Sequence, residues 1–376
     1  MQQKKIWIGI FIILTSCLKV NGQYSRQDST PRIVMIVSSY GKDMGNKRPG
    51  FEMDEFAQAY LIFKTNGLHI DVASPKGGEV ESGKFNKEKP YNKMVLEGST
   101  AIRLLKFTKP TASLKATDYD AVYIVGGKGP MFDLVVDPSL QDLILDMNSK
   151  RAVISAVCHG TIAFANIKKD TNYLIENRSI TGFCNAEETM FGKTATEFPF
   201  LLEDKLIARG ARYQKGEVML PFMIVDDNFI TGQNPYSTTL VAEEIIKSLK
   251  KKPIVRKKYK DELSMELVNK AVRGEVDWAK AALKKNNFNY DLELIAVYGH
   301  YQAKFAKEDL QKIKKGISII ELVTPYYYKE ELYVLLAEYY LKIGDKAKAT
   351  TALNEVIKKN PDSGSASSLL NKIKEK

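Results

Sequence analysis

The sequence predicts an α/β fold on a parallel sheet sandwiched by helices, followed by a small all-α domain. Two observations carry that expectation. Short apolar, β-branched runs alternate with helical patterns as far as Lys250, the rhythm of strands joined through crossover helices. Beyond a basic, proline-punctuated stretch, "KKKPIVRKKYKDE", no strand-like run appears and every segment has helical spacing.

Taken in order, "RIVMIVSS" (Arg32 to Ser39) reads as a buried strand, short and rich in branched residues. "FEMDEFAQAYLIFKTNG" places Phe51, Phe56, Ala59, Tyr60 and Phe63 at helical spacing with Gly67 as its stop. "LHIDVAS" is a second strand, "YDAVYIVGG" a third, "PSLQDLILDMNSK" a helix and "AVISAV" (Ala152 to Val157) a fourth strand. Later come "NRSITGF" and "MIVDDNFITGQNP", whose Asp-Asp-Asn reads as a hairpin turn, and "STTLVAEEIIKSLK" closes the unit as a helix. The expected organisation is a catalytic domain over 31–250, a linker over 251–260 and a helical domain over 261–376. In the last of these, Tyr333, Leu336, Ala337, Tyr340, Gly344, Ala349, Leu353, Val356 and Pro361 follow the spacing of a tetratricopeptide repeat. An ordinary helical appendage is the alternative.

Residues 1–22 read as an export signal: Lys4 and Lys5 precede an apolar run from Ile6 to Ser16 that is too short to span a bilayer. Cleavage is expected either before Cys17, where "LTSC" resembles a lipobox and would make the chain a lipoprotein, or between Gly22 and Gln23. The expected location is therefore periplasmic or secreted. Past that segment only Cys158 and Cys184 remain. Two cysteines are no disulfide framework, although one bridge between them stays open. None of the three histidines, His69, His159 and His300, sits with cysteine or carboxylate at a metal-ligand spacing, so no metal is expected, and the thiol chemistry described below requires no cofactor. The net charge of +11 is spread over scattered lysines, which fits a solvated surface better than a nucleic-acid partner.

The chemistry centres on "AVISAVCHGTIAFANI". Cys158 stands at the exit of a buried strand with Ala156 two residues before and Gly160 two after, the small-residue flanking that a strained nucleophile elbow needs. Such a turn is expected to place the thiol over the N-terminus of a following helix, where the dipole lowers its pKa. The alternative is a small buried thiol.

Together "GFEMDEFAQAYLIFKTNGLHIDVASPKGG", "YDAVYIVGGKGPMFDL", "AVCHG", "SITGFCNAEETMFG" and "ITGQNPYS" resemble the ThiJ/PfpI superfamily, within the class I glutamine amidotransferase-like group of flavodoxin-like folds. The chaperone and glyoxalase III branch is the nearest in pattern, partly through the insert from Lys76 to Thr117. The resemblance implies Cys158 as nucleophile, His159 as general base and Glu188 as the acid that orients it. It also implies Glu55 as a proton-sharing partner of the thiol, and an oxyanion or substrate site at Gly126, Gly127 and Lys128 with the His159 N–H. Lys128 stands where that branch often carries a histidine. The implied activity is glutathione-independent conversion of a 2-oxoaldehyde to a 2-hydroxy acid, or removal of such adducts from glycated protein or nucleotide, by a homodimer. Amide or peptide hydrolysis by the same triad, and a non-catalytic holdase of the cell envelope whose helical tail grips a protein partner, are the alternatives.

Overall fold

Branched residues that alternate between the two faces of each strand account for the core of the computed structural model, which describes residues 30–191 and 198–375. The expected export signal and Cys17 lie outside the described residues. Strand β1 (Arg32–Ile36) leads into helix α1 (Met53–Thr65), then β2 (His69–Ser74), α2 (Pro90–Glu97), α3 (Ser99–Lys106) and the short β3 (Lys109–Pro110). After β4 (Ala121–Ile124), α4 (Pro138–Ser149) and β5 (Val153–Val157) comes a small hairpin of β6 (Lys168–Lys169) and β7 (Asn172–Tyr173). The expected strand in "NRSITGF" is only β8 (Ser179–Ile180). It pairs with β9 (Arg212–Tyr213) outside the main sheet, and helices α5 (Asn185–Phe191) and α6 (Leu202–Ala208) lie between the two in sequence. The expected hairpin is β10 (Met223–Asp226) and β11 (Phe229–Gly232), turned at Asp227 with φ +57°, and α7 (Thr238–Ser248) follows.

The sheet order is β10-β11-β5-β4-β1-β2-β3, parallel throughout except for β10. Ile33, Met35 and Val37 pack with Phe56 and Phe63 of α1 and Val241 and Ile245 of α7, while Val34 and Ile36 pack with Leu140 and Ile144 of α4 on the opposite face. Both faces are covered, so the central strands β1, β4 and β5 are apolar along nearly their whole length. The chain leaves β1 toward β2 on one side and returns to β4 on the other. That reversal opens a crevice at the carboxyl edge, where such sheets bind ligands. Pairing of Ile36 with Ile124 and of Ile124 with Ala156 brings the residues just beyond, Gly126 and Cys158, side by side at that edge.

Residues 251–259 form no helix or strand, yet they are tied down. Asn66 Oδ1 accepts the Ile254 N–H at 2.8 Å, and Arg256 bridges Glu243 at 2.9 Å and Glu262 at 2.8 Å. Among the described residues seven helices come after the linker: α8 (Lys260–Val272), α9 (Val276–Asn286), α10 (Leu292–Phe305), α11 (Leu310–Val323), α12 (Glu330–Lys342), α13 (Lys346–Lys359) and α14 (Gly364–Lys374). Gly299 of α10 and Gly316 of α11 meet backbone to backbone: a Cβ at Gly316 would lie 2.5 Å from the Gly299 carbonyl oxygen. Between α12 and α13, Gly344 turns the chain at φ +82°, and Ala337 and Ala349 are fully buried. Residues Pro31–Lys376 form one compact unit. Met190, Met219 and Leu220 of the sheet domain share a buried apolar cluster with Met265 and Ile295 of the helical region. No helix among the described residues is long and apolar enough to cross a membrane.

Candidate active site

Cys158 directly follows β5 with φ +57°, a backbone region that a side chain occupies only when its surroundings hold it there. The small neighbours explain how. A Cβ at Gly160 would sit 2.6 Å from the Ile124 carbonyl oxygen, so the chain can turn against the next strand only with glycine there. Residues Cys158–Phe164 form 3₁₀ turns rather than the expected α-helix. The expectation of a thiol pKa lowered by a helix dipole is therefore corrected. Burial is the largest effect on Cys158 and pushes the thiol up; Glu55 adds to it whenever ionised, while the N–H groups of His159 and Gly127 oppose it.

His159 Nδ1 lies 3.4 Å from Cys158 Sγ, and its Nε2 lies 2.8 Å from Glu188 Oε2. A carboxylate only accepts, so Nε2 carries the proton and Nδ1 faces the sulfur as an acceptor. The imidazole is wedged between rings, stacked on Phe183 at 4.4 Å and edge-on to Phe198 at 5.6 Å. Of the adjacent acids, it is Glu188 that meets the imidazole. Glu187 points elsewhere: its Oε1 accepts from the Met219 N–H at 2.9 Å and the Asn234 side-chain amide at 2.8 Å, and its Oε2 lies 3.4 Å from Cys184 Sγ. Burial beside that acid pushes the Cys184 thiol up to about 12. Both cysteines are free thiols, so the bridge left open by the sequence is not formed.

Glu55, fully buried on α1, accepts the Gly126 N–H on Oε2 at 2.6 Å, leaves Oε1 without a hydrogen-bond partner, and lies beside the Cys158 thiol. Burial pushes it well above the usual carboxylate range, and the Glu52 charge adds to the effect. Ionised together, Glu55 and a Cys158 thiolate would repel each other in a buried site, so a neutral Glu55 is the state that lets the sulfur carry charge.

The Gly126 N–H, expected at an oxyanion or substrate site, donates to Glu55 in this structure. The residue's role is also steric, since a Cβ there would lie 2.7 Å from both Cys158 Cβ and Glu55 Oε2. Gly127, at φ +88°, directs its N–H at the sulfur. The His159 N–H also faces the sulfur. Lys128 is exposed on the rim of the cavity, away from these donors.

The cavity holds about 520 Å³ and is lined by Cys158, His159, Glu188, Gly127, Phe183 and Phe191, among others. It also contains Glu52, which sequence reasoning passed over. Burial, then the neighbouring Asp54, pushes its carboxyl up to about 7. The available signal was the Glu52/Glu55 pair, three residues apart at the start of α1, which puts both acids toward one side. Of the other histidines, His69 is exposed at the start of β2, and His300 Nδ1 lies 2.8 Å from the Tyr339 hydroxyl. Among the described residues no cluster of metal-ligating side chains occurs.

The DJ-1/PfpI family model matches residues 47–248. This chain belongs to the DJ-1/PfpI family. The match ends before α8, so the helical extension lies outside it. Glyoxalase 3 of Candida albicans is 29% identical over 231 residues, 57% of this chain and 97% of that protein. The glutathione-independent glyoxalase HSP31 of Saccharomyces cerevisiae is 26% identical over 58% of this chain and 98% of its own length. The crystal structure of Rapid Encystment Protein 24 kDa from Francisella tularensis superposes with TM-score 0.56 at 30% identity, covering 58% of this chain and 99% of that one. The family match thus covers the elbow, the sheet strands after β1 and most of the residues that line the cavity.

Proposed function

We propose that this protein is a cysteine-dependent, glutathione-independent glyoxalase that converts a 2-oxoaldehyde such as methylglyoxal into a 2-hydroxy acid. The observation that carries the reading is the file of Cys158 Sγ, His159 and Glu188 Oε2, with separations of 3.4 and 2.8 Å, inside a cavity of small-molecule size. Relatives named as glyoxalases support it.

The thiol proton passes to His159 Nδ1 as sulfur bonds to the aldehyde carbon. The oxygen of that carbon becomes an oxyanion, held by the Gly127 and His159 N–H groups, and takes the proton back from the imidazole. His159 then removes the C1 proton of the hemithioacetal, and protonation at C2 of the enediol leaves a thioester of the 2-hydroxy acid. C1 is oxidised and C2 reduced within one molecule, so no external electron carrier is needed. Water adds to the thioester, the C–S bond breaks, and the thiol returns. Glu188 holds the tautomer that keeps Nδ1 free, while neutral Glu55 supports the sulfur when it is charged.

The test is methylglyoxal consumption and lactate formation without glutathione, by the purified protein beside Cys158→Ser and Glu188→Ala. Turnover abolished by the first and strongly reduced by the second is the expected result. No turnover in the unaltered protein, with Cys158 still selectively alkylated, removes the aldehyde reading and directs the search to glycated or amide substrates. An inert Cys158 removes the enzyme reading altogether. Export is likewise a proposal, tested by the cell fraction in which the protein accumulates.

A further inference from the structure

The wall of the cavity is continuous with the helical extension. A file of rings starts at the His159 imidazole and runs to Phe183 at 4.4 Å, Phe191 at 6.3 Å, Tyr301 at 5.2 Å and Phe305 at 6.0 Å between successive centroids. The first three belong to the DJ-1/PfpI domain, and Phe183 and Phe191 line the cavity. Tyr301 and Phe305 lie on α10, beyond the family match. Phe191 is the last residue of α5, the helix that carries Glu188, and the preceding residue, Met190, is buried in the apolar cluster of the extension. None of the described residues lining the cavity comes from the extension. Its influence on the site therefore passes through lining residues that it backs, Met219 and Tyr236 through the shared apolar cluster and Phe191 through Tyr301.

We infer that the extension is the outer layer of the active site and that Tyr301 is a positioning residue. By backing Phe191 it sets the width of the cavity and hence the size of the molecules that reach Cys158. Three features make the backing firm. Tyr301 meets Phe191 at 67°, the edge-to-face geometry that aromatic pairs favour. Its helix is clamped to α11 where Gly299 and Gly316 touch. The start of the extension is latched to the sheet domain, where the Tyr91 hydroxyl donates to Asp261 at 2.6 Å. The two glyoxalase relatives align over 97% and 98% of their own length with only 57% and 58% of this chain, so this support is an addition to the part they share with it.

The inference rests on Cys158 as the reactive centre and is independent of the aldehyde reading, because alkylation reports access to the thiol whether or not methylglyoxal is turned over. The experiment compares the rates at which iodoacetamide and the bulkier iodoacetanilide modify Cys158 in the full-length protein, with the modified residue identified by mass spectrometry. Tyr301→Ala frees Phe191 to swing outward, and the ratio of bulky to small reagent rises about three- to tenfold, the scale of one lost ring contact. Tyr301→Phe keeps the ring and restores the original ratio. Leu353→Ala, which opens a cavity at a buried position of α13 away from Phe191, lowers the melting temperature and leaves the ratio unchanged. A ratio in Tyr301→Ala equal to that of the unaltered protein overturns the inference. So does an equal rise in Leu353→Ala, which would trace the effect to general loosening of the helices.

Discussion

Replacing Glu55 by Gln removes one ionisable group beside the nucleophile while keeping size and an acceptor for the Gly126 N–H, which now bonds Glu55 Oε2 at 2.6 Å. The outcome depends on where the proton sits. A Glu55 carboxylate beside the sulfur would oppose the thiolate by about 4 kcal/mol at an effective dielectric constant near 20, about 3 pK units. With Glu55 neutral, Gln is nearly isosteric with the resident acid and, like it, carries no charge to oppose the thiolate. The rate of Cys158 alkylation by iodoacetamide, followed against pH, reads the difference. The expected midpoint in Glu55→Gln lies within about one unit of the unaltered protein. A midpoint that falls by two units or more would show an ionised Glu55 and refute the assignment of the proton.

Other substitutions probe the surroundings of the thiol. Gly126→Ala places a methyl 2.7 Å from Cys158 Cβ and Glu55 Oε2; thermal denaturation should show a loss of about 1–3 kcal/mol, and alkylation of Cys158 should slow. Glu52 is pushed up to about 7, so the folded state holds a proton that the unfolded chain has released. The stability it contributes is complete below about pH 4.5 and is lost as pH rises through about 7, and Glu52→Gln should flatten that fall in denaturant titrations. At Gly344, φ is +82°, and Gly344→Ala should cost about 1 kcal/mol in thermal melts without altering turnover.

The strands, their order along the chain and the elbow at Cys158 were legible because each depends on local sequence: branched runs for burial on two faces, small residues where the backbone turns hard. Glu188 was legible from its motif, and its contact with His159 Nε2 agrees. The environment of the thiol was not. Whether a helix or 3₁₀ turns come after Cys158 depends on packing against β4, and burial outweighs any local dipole. The partner of the Gly126 N–H was hidden for a similar reason, since only the fold brings Glu55 of α1 to accept it. The role of Met190, Phe191 and Met219 was hidden because apolar residues in a connecting region look alike until the surface that covers them is in place.

The boundary near Lys250 is clear in composition, but it is not a boundary of stability. A protein cut there would bare Met190, Met219 and Leu220 together with the apolar side of Tyr236, all of which pack against the extension in the intact molecule. Contiguous apolar surface of that kind promotes self-association. The half of the molecule that carries the chemistry would then be soluble only with its helical companion attached. Proteolytic nicking within 251–259 should be tolerated while the two pieces stay docked, whereas separating them should precipitate the catalytic half.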